Sequence, residues 1–240
     1  MSLPLFYKED LLPESQTVIL DEPTSKHIIQ VLRMQVGESL QLTDGKGNLL
    51  TANISDDNRK KCVVKISAAE HIKNPVSNVV IAISPVKNNS RFEWFLEKAT
   101  EIGVSIIVPL ICERTEKQHF KLDRMKGILI SAMLQSQQVW LPELQSPAKY
   151  VAFVESLKDR LDVGKCIAHC EAESGKIQLS SVKFDGKKEK LILIGPEGDF
   201  SKSEIELAIN NHFAPVALGN TRLRTETAGI VSATLLVNHQ

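Results

Sequence analysis

From about residue 79 onward, short runs of apolar residues without polar alternation recur along the chain: Val79–Ile83, Ile106–Leu110, Cys166–His169, Leu191–Ile194 and Pro215–Leu218. Such runs predict strands buried on both faces, and helical segments lie between most of them, which is the order of an α/β parallel sheet. Within one of those helices, Trp94, Phe95, Ala99 and Ile102 form a core stripe. The first part reads differently. Ser39–Leu42, Leu49–Ile54 and Cys62–Ala68 are β-like and separated by turns such as Asp44-Gly45, the pattern of a small barrel. Its one helical stretch, about Ser25 to Met34, puts Ile28, Val31 and Leu32 on one side. Asn74-Pro75 breaks the pattern, so two domains are predicted, 1–73 and 74–240.

Two glycine-punctuated loops near the C-terminus carry the candidate chemistry. Leu191–Ile194 runs into Gly195-Pro196-Glu197-Gly198, a turn with little side-chain bulk over the backbone, and Ser201 with Glu204 has capping-box spacing for a helix through about Asn210. The second loop, Leu218-Gly219-Asn220-Thr221-Arg222-Leu223-Arg224, leads to Thr225 as N-cap of a terminal helix from Glu226 to about Val237. That helix is apolar nearly all round, which predicts packing against a second subunit as well as the core, hence a homodimer. Arg224 and Glu226 bracket a helix start whose amides favour an anion.

The strand with Gly195-Pro196-Glu197-Gly198 and the later Leu218-Gly219…Leu223-Arg224-Thr225-Glu226-Thr227-Ala228 resemble the signature of the ribosomal small-subunit RNA methyltransferase E family, a branch of the SPOUT superfamily. Upstream, Arg91-Phe92-Glu93-Trp94-Phe95-Leu96-Glu97-Lys98-Ala99-Thr100-Glu101-Ile102-Gly103-Val104, Ile107-Val108-Pro109-Leu110 and Glu113-Arg114 are similar to that family too. So are Phe6-Tyr7, His27–Met34, Val36-Gly37-Glu38 and Asp44-Gly45-Lys46-Gly47, and the resemblance covers nearly the whole chain. It implies a PUA-like RNA-binding β-barrel followed by an α/β SPOUT domain with a deep trefoil knot and mainly parallel sheet. A knot would not be expected from periodicity, since true knots are rare.

The resemblance further implies S-adenosylmethionine as cofactor, the small ribosomal subunit and its 16S rRNA as partners, and methylation of uridine N3 near the 3′ end of that RNA. It places the cofactor at Ile194, Gly195, Gly198, Leu218, Gly219, Leu223, Arg224 and Thr225, with Glu171 at the end of an earlier strand as a further candidate. Gly195→Val is then expected to block the cofactor without unfolding the chain. N3 is a weak nucleophile until its imide proton leaves, so the chemistry asks for charge stabilisation on a carbonyl oxygen and a proton acceptor. Arg224, or else Arg114, is the candidate for the first, and Glu226 or Glu197 for the second; for Glu226 a capping or cofactor-orienting role stands beside it. RNA contacts are expected at Arg33, Arg91, Arg114 and Arg222. Two positions depart from the family pattern: Gly198-Asp199 where relatives often carry Gly-Gly, and Gln137-Gln138-Val139-Trp140 where a basic residue is common.

Charge narrows the picture. With 29 basic and 29 acidic residues among 240, the formal net charge is zero, so RNA affinity must come from a local patch. Lys87, Arg91, Arg114, Lys117, Lys121, Arg124 and Lys126, beside Arg222 and Arg224, are the candidates. Cys62, Cys112, Cys166 and Cys170 are expected as reduced core thiols, with Cys166 and Cys170 on one strand face and His169 on the other. Metal-ligand spacing, a Walker A loop and the dinucleotide fingerprint are absent. Neither a membrane span nor a secretion signal is readable, so the protein is expected in the cytoplasm. Two alternatives stand beside the uridine methyltransferase: a non-catalytic RNA- or ribosome-binding module, and a methyltransferase for a different RNA nucleotide.

Overall fold

The computed structural model describes residues 3–74, 78–116, 120–171 and 175–239. Two compact units emerge, one from Met1–Pro75 with Met133–Leu141, the other from Val76–Ala132 with Pro142–Gln240.

The first unit holds β1 (Leu5–Tyr7), β2 (Thr17–Ile19), α1 (Glu22–Lys26), β3 (Ser39–Thr43), β4 (Asn48–Asp56) and β5 (Val63–His71), in sheet order β1-β3-β4-β5-β2. Strict alternation in the central strands sends Leu40, Leu42, Leu50, Ala52, Ile54 and Val64 to one face, where they pack with Phe6, Val18 and Ile28. Register shifts at Thr51/Ala52 and Ile54/Asp56 bend β4 against β5 and curl the sheet around that core. The helix begins earlier than the apolar spacing predicts, because the Asp21 carboxylate accepts from Thr24 N at 2.8 Å and Pro23 stands in the first turn. It then widens into a π-helical turn, His27–Val31, and closes with Met34 N donating to Ile28 O around Arg33 at φ 58°. Arg33 is exposed at this left-handed corner.

Residues 133–141 complete the unit. Gln137 takes φ 57°, and the chain then bonds the Asp44–Asn48 turn: Gly47 N donates to Val139 O at 2.9 Å and Leu141 N to Gly45 O at 2.8 Å. Trp140 donates from Nε1 to Ile72 O at 2.9 Å and meets the His71 ring edge-on at 5.8 Å. The unusual Trp140 is thus a strut between turn and strand end.

The second unit is a sheet in which every pairing is parallel, order β11-β13-β10-β12-β6-β7-β8, with β9 also pairing β7. In chain order the elements are β6 (Asn78–Ile83), α2 (Asn89–Ile102), β7 (Ile106–Ile111), α3 (Leu122–Gln135), β8 (Glu143–Leu144), β9 (Ala148–Lys149), α4 (Tyr150–Ser156), β10 (Val163–Ala168), β11 (Ile177–Gln178), β12 (Glu189–Ile194), α5 (Lys202–Asn210), β13 (Ala214–Ala217) and α6 (Thr225–Val237). α3 runs from this unit into the first. The two-residue strands β8, β9 and β11 are too short to leave a periodic signal. Helix α2 starts on the Asn88 side chain and stops at Gly103 in the left-handed region, φ 99°. Phe95 and Ala99 of its predicted stripe are fully buried, whereas Trp94 is 44% exposed and stands off the core face. Helix α6 packs on α2 and β6 at Gly229, where a Cβ would come 2.6 Å from the Phe95 ring. Among the described residues no helix is long and apolar enough to cross a membrane.

Parallel register sets the function-bearing edge. Ala168 is paired with Ile194 and Val216, and Ile194 with Ile83, so the loops after β6, β10, β12 and β13 leave from one rim.

The fit between Gly47 and Trp140 makes a specific prediction. Gly47 has φ 92°, and a Cβ there would lie 2.4 Å from the Trp140 ring. Gly47→Ala should therefore cost about 2–4 kcal/mol in urea unfolding followed by circular dichroism. In a Trp140→Ala background the part due to the ring should disappear, while the strain at this φ and the 2.8 Å approach of the Cβ to Ile72 O remain, so the cost should fall but not vanish.

Candidate functional site

The loop after β12 is fixed from three sides. Ser84 N donates to Ile194 O at 2.9 Å, and Asp199 N closes a turn on Pro196 O at 2.9 Å. Asp199 itself adopts φ 63°, a conformation that Asp tolerates better than most side chains. Its carboxylate accepts from Cys170 N at 2.7 Å and from Phe200 N at 2.8 Å, so the residue that replaces the second glycine ties this loop to the end of β10. Arg114 donates from one guanidinium nitrogen to Gly198 O at 2.7 Å and to Phe200 O at 3.4 Å. The expected capping box of Ser201 and Glu204 is present, and Glu204 Oε1 also accepts from Glu113 N at 2.8 Å. Arg114, expected at substrate, thus holds the loop's backbone in place.

Gly195 needs its missing side chain for packing as well as for ligand approach. A Cβ there would meet the Phe200 ring at 3.1 Å, and Phe200 is 1% exposed, so Gly195→Val would disturb the core rather than the ligand alone.

The loop after β13 lines a cavity of about 410 Å³ whose walls run from Val216 to Leu223, with Ala168–Cys170, Lys176 and Ala228 completing it. Gly219 has φ 134° and open space where a Cβ would stand, which leaves bare backbone facing the cavity. Leu218, Gly219 and Leu223 of the expected cofactor residues are therefore brought together here, with Arg222, expected at RNA, beside them. Cys170 and Lys176 join them without any spacing signal to announce it. Glu171 lies outside these walls, and its backbone carbonyl accepts from Lys176 Nζ.

Thr225 is the first residue of α6 rather than its cap. Arg224 occupies the cap position in extended conformation, with no side-chain capping bond and an exposed guanidinium. The Thr225 hydroxyl instead donates to Gly195 O at 3.0 Å and joins the two glycine loops directly. One residue on, Glu226 is 5% exposed, and its Oε2 has no hydrogen-bond partner among the described residues. Arg91 stands between two carboxylates, 3.7 Å from Glu226 Oε1 and 3.9 Å from Glu197 Oε1.

Three cations of the basic patch face carboxylates. Lys87 pairs with Glu116 at 3.1 Å, Arg124 grips Glu93 with two bonds of 2.6 and 3.0 Å, and Arg91 is engaged as above. Arg222 and Arg224 are exposed in the second loop; Arg33 belongs to the first unit, and Lys117 lies outside the described residues.

Three cysteines are buried, and burial pushes Cys62 up to about 11 and Cys166 to about 12, with Asp56 and Asp57 adding to the former. Cys112 is raised by burial and then by Glu204. Cys170 is exposed, because β10 ends at Ala168 and the alternation that would have kept it inside ends there too. No group of three or more His, Cys, Asp or Glu among the described residues is arranged to hold a metal.

Two measurements check this geometry. Thr225→Val, which leaves the Gly195 carbonyl without its donor, should cost about 1–3 kcal/mol in urea unfolding, and Thr225→Ser should recover most of it. A disulfide reagent should titrate one thiol rapidly in the native protein, Cys170, and all four only after denaturation; Cys170→Ser should abolish the native reaction.

Comparison with known proteins agrees with both units. An RNA methyltransferase domain model matches residues 73–237, and an RNA methyltransferase PUA domain model matches residues 20–67. A probable rRNA-methyltransferase from Porphyromonas gingivalis superposes with TM-score 0.89 at 39% identity, covering 99% of this chain and 100% of that one. A ribosomal RNA small subunit methyltransferase E from Neisseria gonorrhoeae, solved bound to S-adenosyl methionine, gives TM-score 0.85 at 28% identity over 97% and 95% of the two chains. The ribosomal RNA small subunit methyltransferase E of a Synechocystis strain is 29% identical over 96% of this chain and 77% of its own. The chain is thus a PUA domain followed by a SPOUT-type parallel α/β domain, and it belongs to the ribosomal small-subunit RNA methyltransferase E family.

Proposed function

We propose that this protein transfers a methyl group from S-adenosylmethionine to N3 of a uridine near the 3′ end of 16S rRNA in the small ribosomal subunit. The observation that carries the reading is the cavity at the rim of the parallel sheet, walled by the second glycine loop and adjoining the start of α6. A methyltransferase of similar fold is solved with the same cofactor. The residues here fit such a ligand: Gly219 exposes backbone where a side chain would intrude, and Leu218 and Leu223 offer apolar contact. Ile194, Gly195, Gly198 and Thr225 shape the adjoining loop, and Arg224 completes the proposed set.

Bound S-adenosylmethionine supplies an electrophilic methyl group. What the protein adds is a nucleophile on the other side. The exposed Arg224 guanidinium, at the α6 N-terminus where peptide dipoles already favour negative charge, stabilises charge growing on a uracil carbonyl oxygen. Glu226, whose Oε2 has no hydrogen-bond partner among the described residues and whose other oxygen faces Arg91, accepts the imide proton. Arg114 positions the loop; Arg33 and Arg222 are left to meet RNA phosphates.

The same reading assigns 1–73 to RNA holding and 74–240 to methyl transfer, in a cytoplasmic homodimer with the chain knotted around its cofactor loops. Ile230, Val231, Leu235 and Val237 of α6 remain half-exposed, which supports a second subunit against that face.

The deciding experiment is methyl transfer from labelled S-adenosylmethionine to small subunits lacking the modification, with the product nucleoside identified by mass spectrometry. N3-methyluridine is expected. Arg224→Ala should lower turnover about 100- to 1,000-fold with a much smaller change in cofactor affinity; equal loss of both would remove Arg224 from the chemistry. Cofactor binding with a different methylated nucleoside would redirect the target, and absence of cofactor binding would leave an RNA-binding module.

A further inference from the structure

A second cavity, about 220 Å³, opens at the opposite rim of the same sheet, where β10 and β13 begin. Arg160, Lys165, Lys183, Lys187 and His212 line it, and no carboxylate among the described residues does. Acidic side chains flank the cavity without lining it, and Glu189 acts on Arg160 from β12. Asp162 is held by Arg160 with bonds of 2.8 and 3.2 Å, and Asp159 acts on Lys165 more weakly than Lys187 does.

Two of these cations are built into the fold. Lys165 is 7% exposed, donates from Nζ to Leu157 O at 3.0 Å and sits 5.7 Å over the Phe213 ring. Lys187 donates to Leu161 O at 2.6 Å. Gly164 makes room for the Phe184 ring beside Lys187: a Cβ there would lie 2.2 Å from that ring and 3.5 Å from the Lys187 side chain. Each ammonium group spends one of its three donors on a carbonyl and keeps the others. Burial first, and then repulsion by Lys187, pull Lys165 below the usual lysine range. Asp159 offsets part of that repulsion, and an anion between Lys165 and Lys187 offsets more of it.

We propose that this cavity binds a phosphoryl group. Several lysine point charges suit a tetrahedral anion that accepts from many directions, whereas a carboxylate is matched best by an arginine fork, and the fork of Arg160 is already filled by Asp162. With about half the volume of the first cavity, it holds a phosphoryl group with a small substituent and not a second cofactor. The group comes either from a free phosphorylated small molecule or from an RNA phosphodiester. The site is separate from the proposed methyl-transfer centre and does not depend on that reading.

The test is isothermal titration of the full-length protein with inorganic phosphate at constant ionic strength. Saturable binding is expected, weakened about tenfold by Lys187→Gln. The exposed Lys187 carries the result even where Lys165→Met fails to fold. Absence of saturable binding, or binding that Lys187→Gln leaves unchanged, overturns the proposal. A parallel anisotropy titration with a labelled ten-nucleotide oligoribonucleotide separates the sources. Joint loss of phosphate and RNA binding in Lys187→Gln supports the phosphodiester, and loss of phosphate binding with RNA binding intact supports a free phosphorylated molecule.

Discussion

A single hydrogen bond, Thr225 Oγ1 to Gly195 O, joins two loops that lie 30 residues apart in sequence, and both loops reach it only because their strands leave the same rim. Parallel pairing imposes that common exit; an antiparallel partner would send one of the loops to the far side. Once the rim is set, side chains borrowed from other loops lock it. Arg114 holds two carbonyls of the first loop, Asp199 holds an amide at the end of β10, and Glu204 holds an amide after β7. Each is a charged group bonded to backbone, a stronger contact than a neutral pair, so the glycine loops are kept open by polar ties rather than by bulk.

The buried strands were legible because their residues are apolar on both faces, and five of them appear within two or three residues of their expected ends. The capping box at Ser201 was legible because it is a local bargain between two side chains three positions apart. Contacts set by tertiary structure were not. Nothing near Arg114 reveals that its partners are carbonyls 84 and 86 positions away, nor does the α2 stripe show that Trp94 falls outside the core. Thr225 looked like a cap because Thr at a helix start usually is one, yet Gly195 O lies within reach and takes its hydroxyl.

Both departures from the family pattern became intelligible only as geometry. Asp199 occupies a left-handed position where glycine would be easiest, and its two carboxylate contacts offset the strain. Trp140, where a basic residue is common, fills the space that Gly47 leaves empty and ties Ile72 to the turn. Geometry matters for the basic patch as well: Lys87, Arg91 and Arg124 each face carboxylates, so cation count at the surface overstates the field that an RNA would meet.

Because the first unit closes only when residues 133–141 reach the Asp44–Asn48 turn, its sequence is interrupted by part of the second. On a ribosome the sheet of β1–β5 is therefore finished well before its strut arrives. At about 5–20 residues per second, the 66 residues between positions 75 and 141 take about 3–13 s to emerge. For that interval Gly47 and the end of β5 lack the indole that covers them, and the unit is completed from the middle of the chain rather than from its beginning.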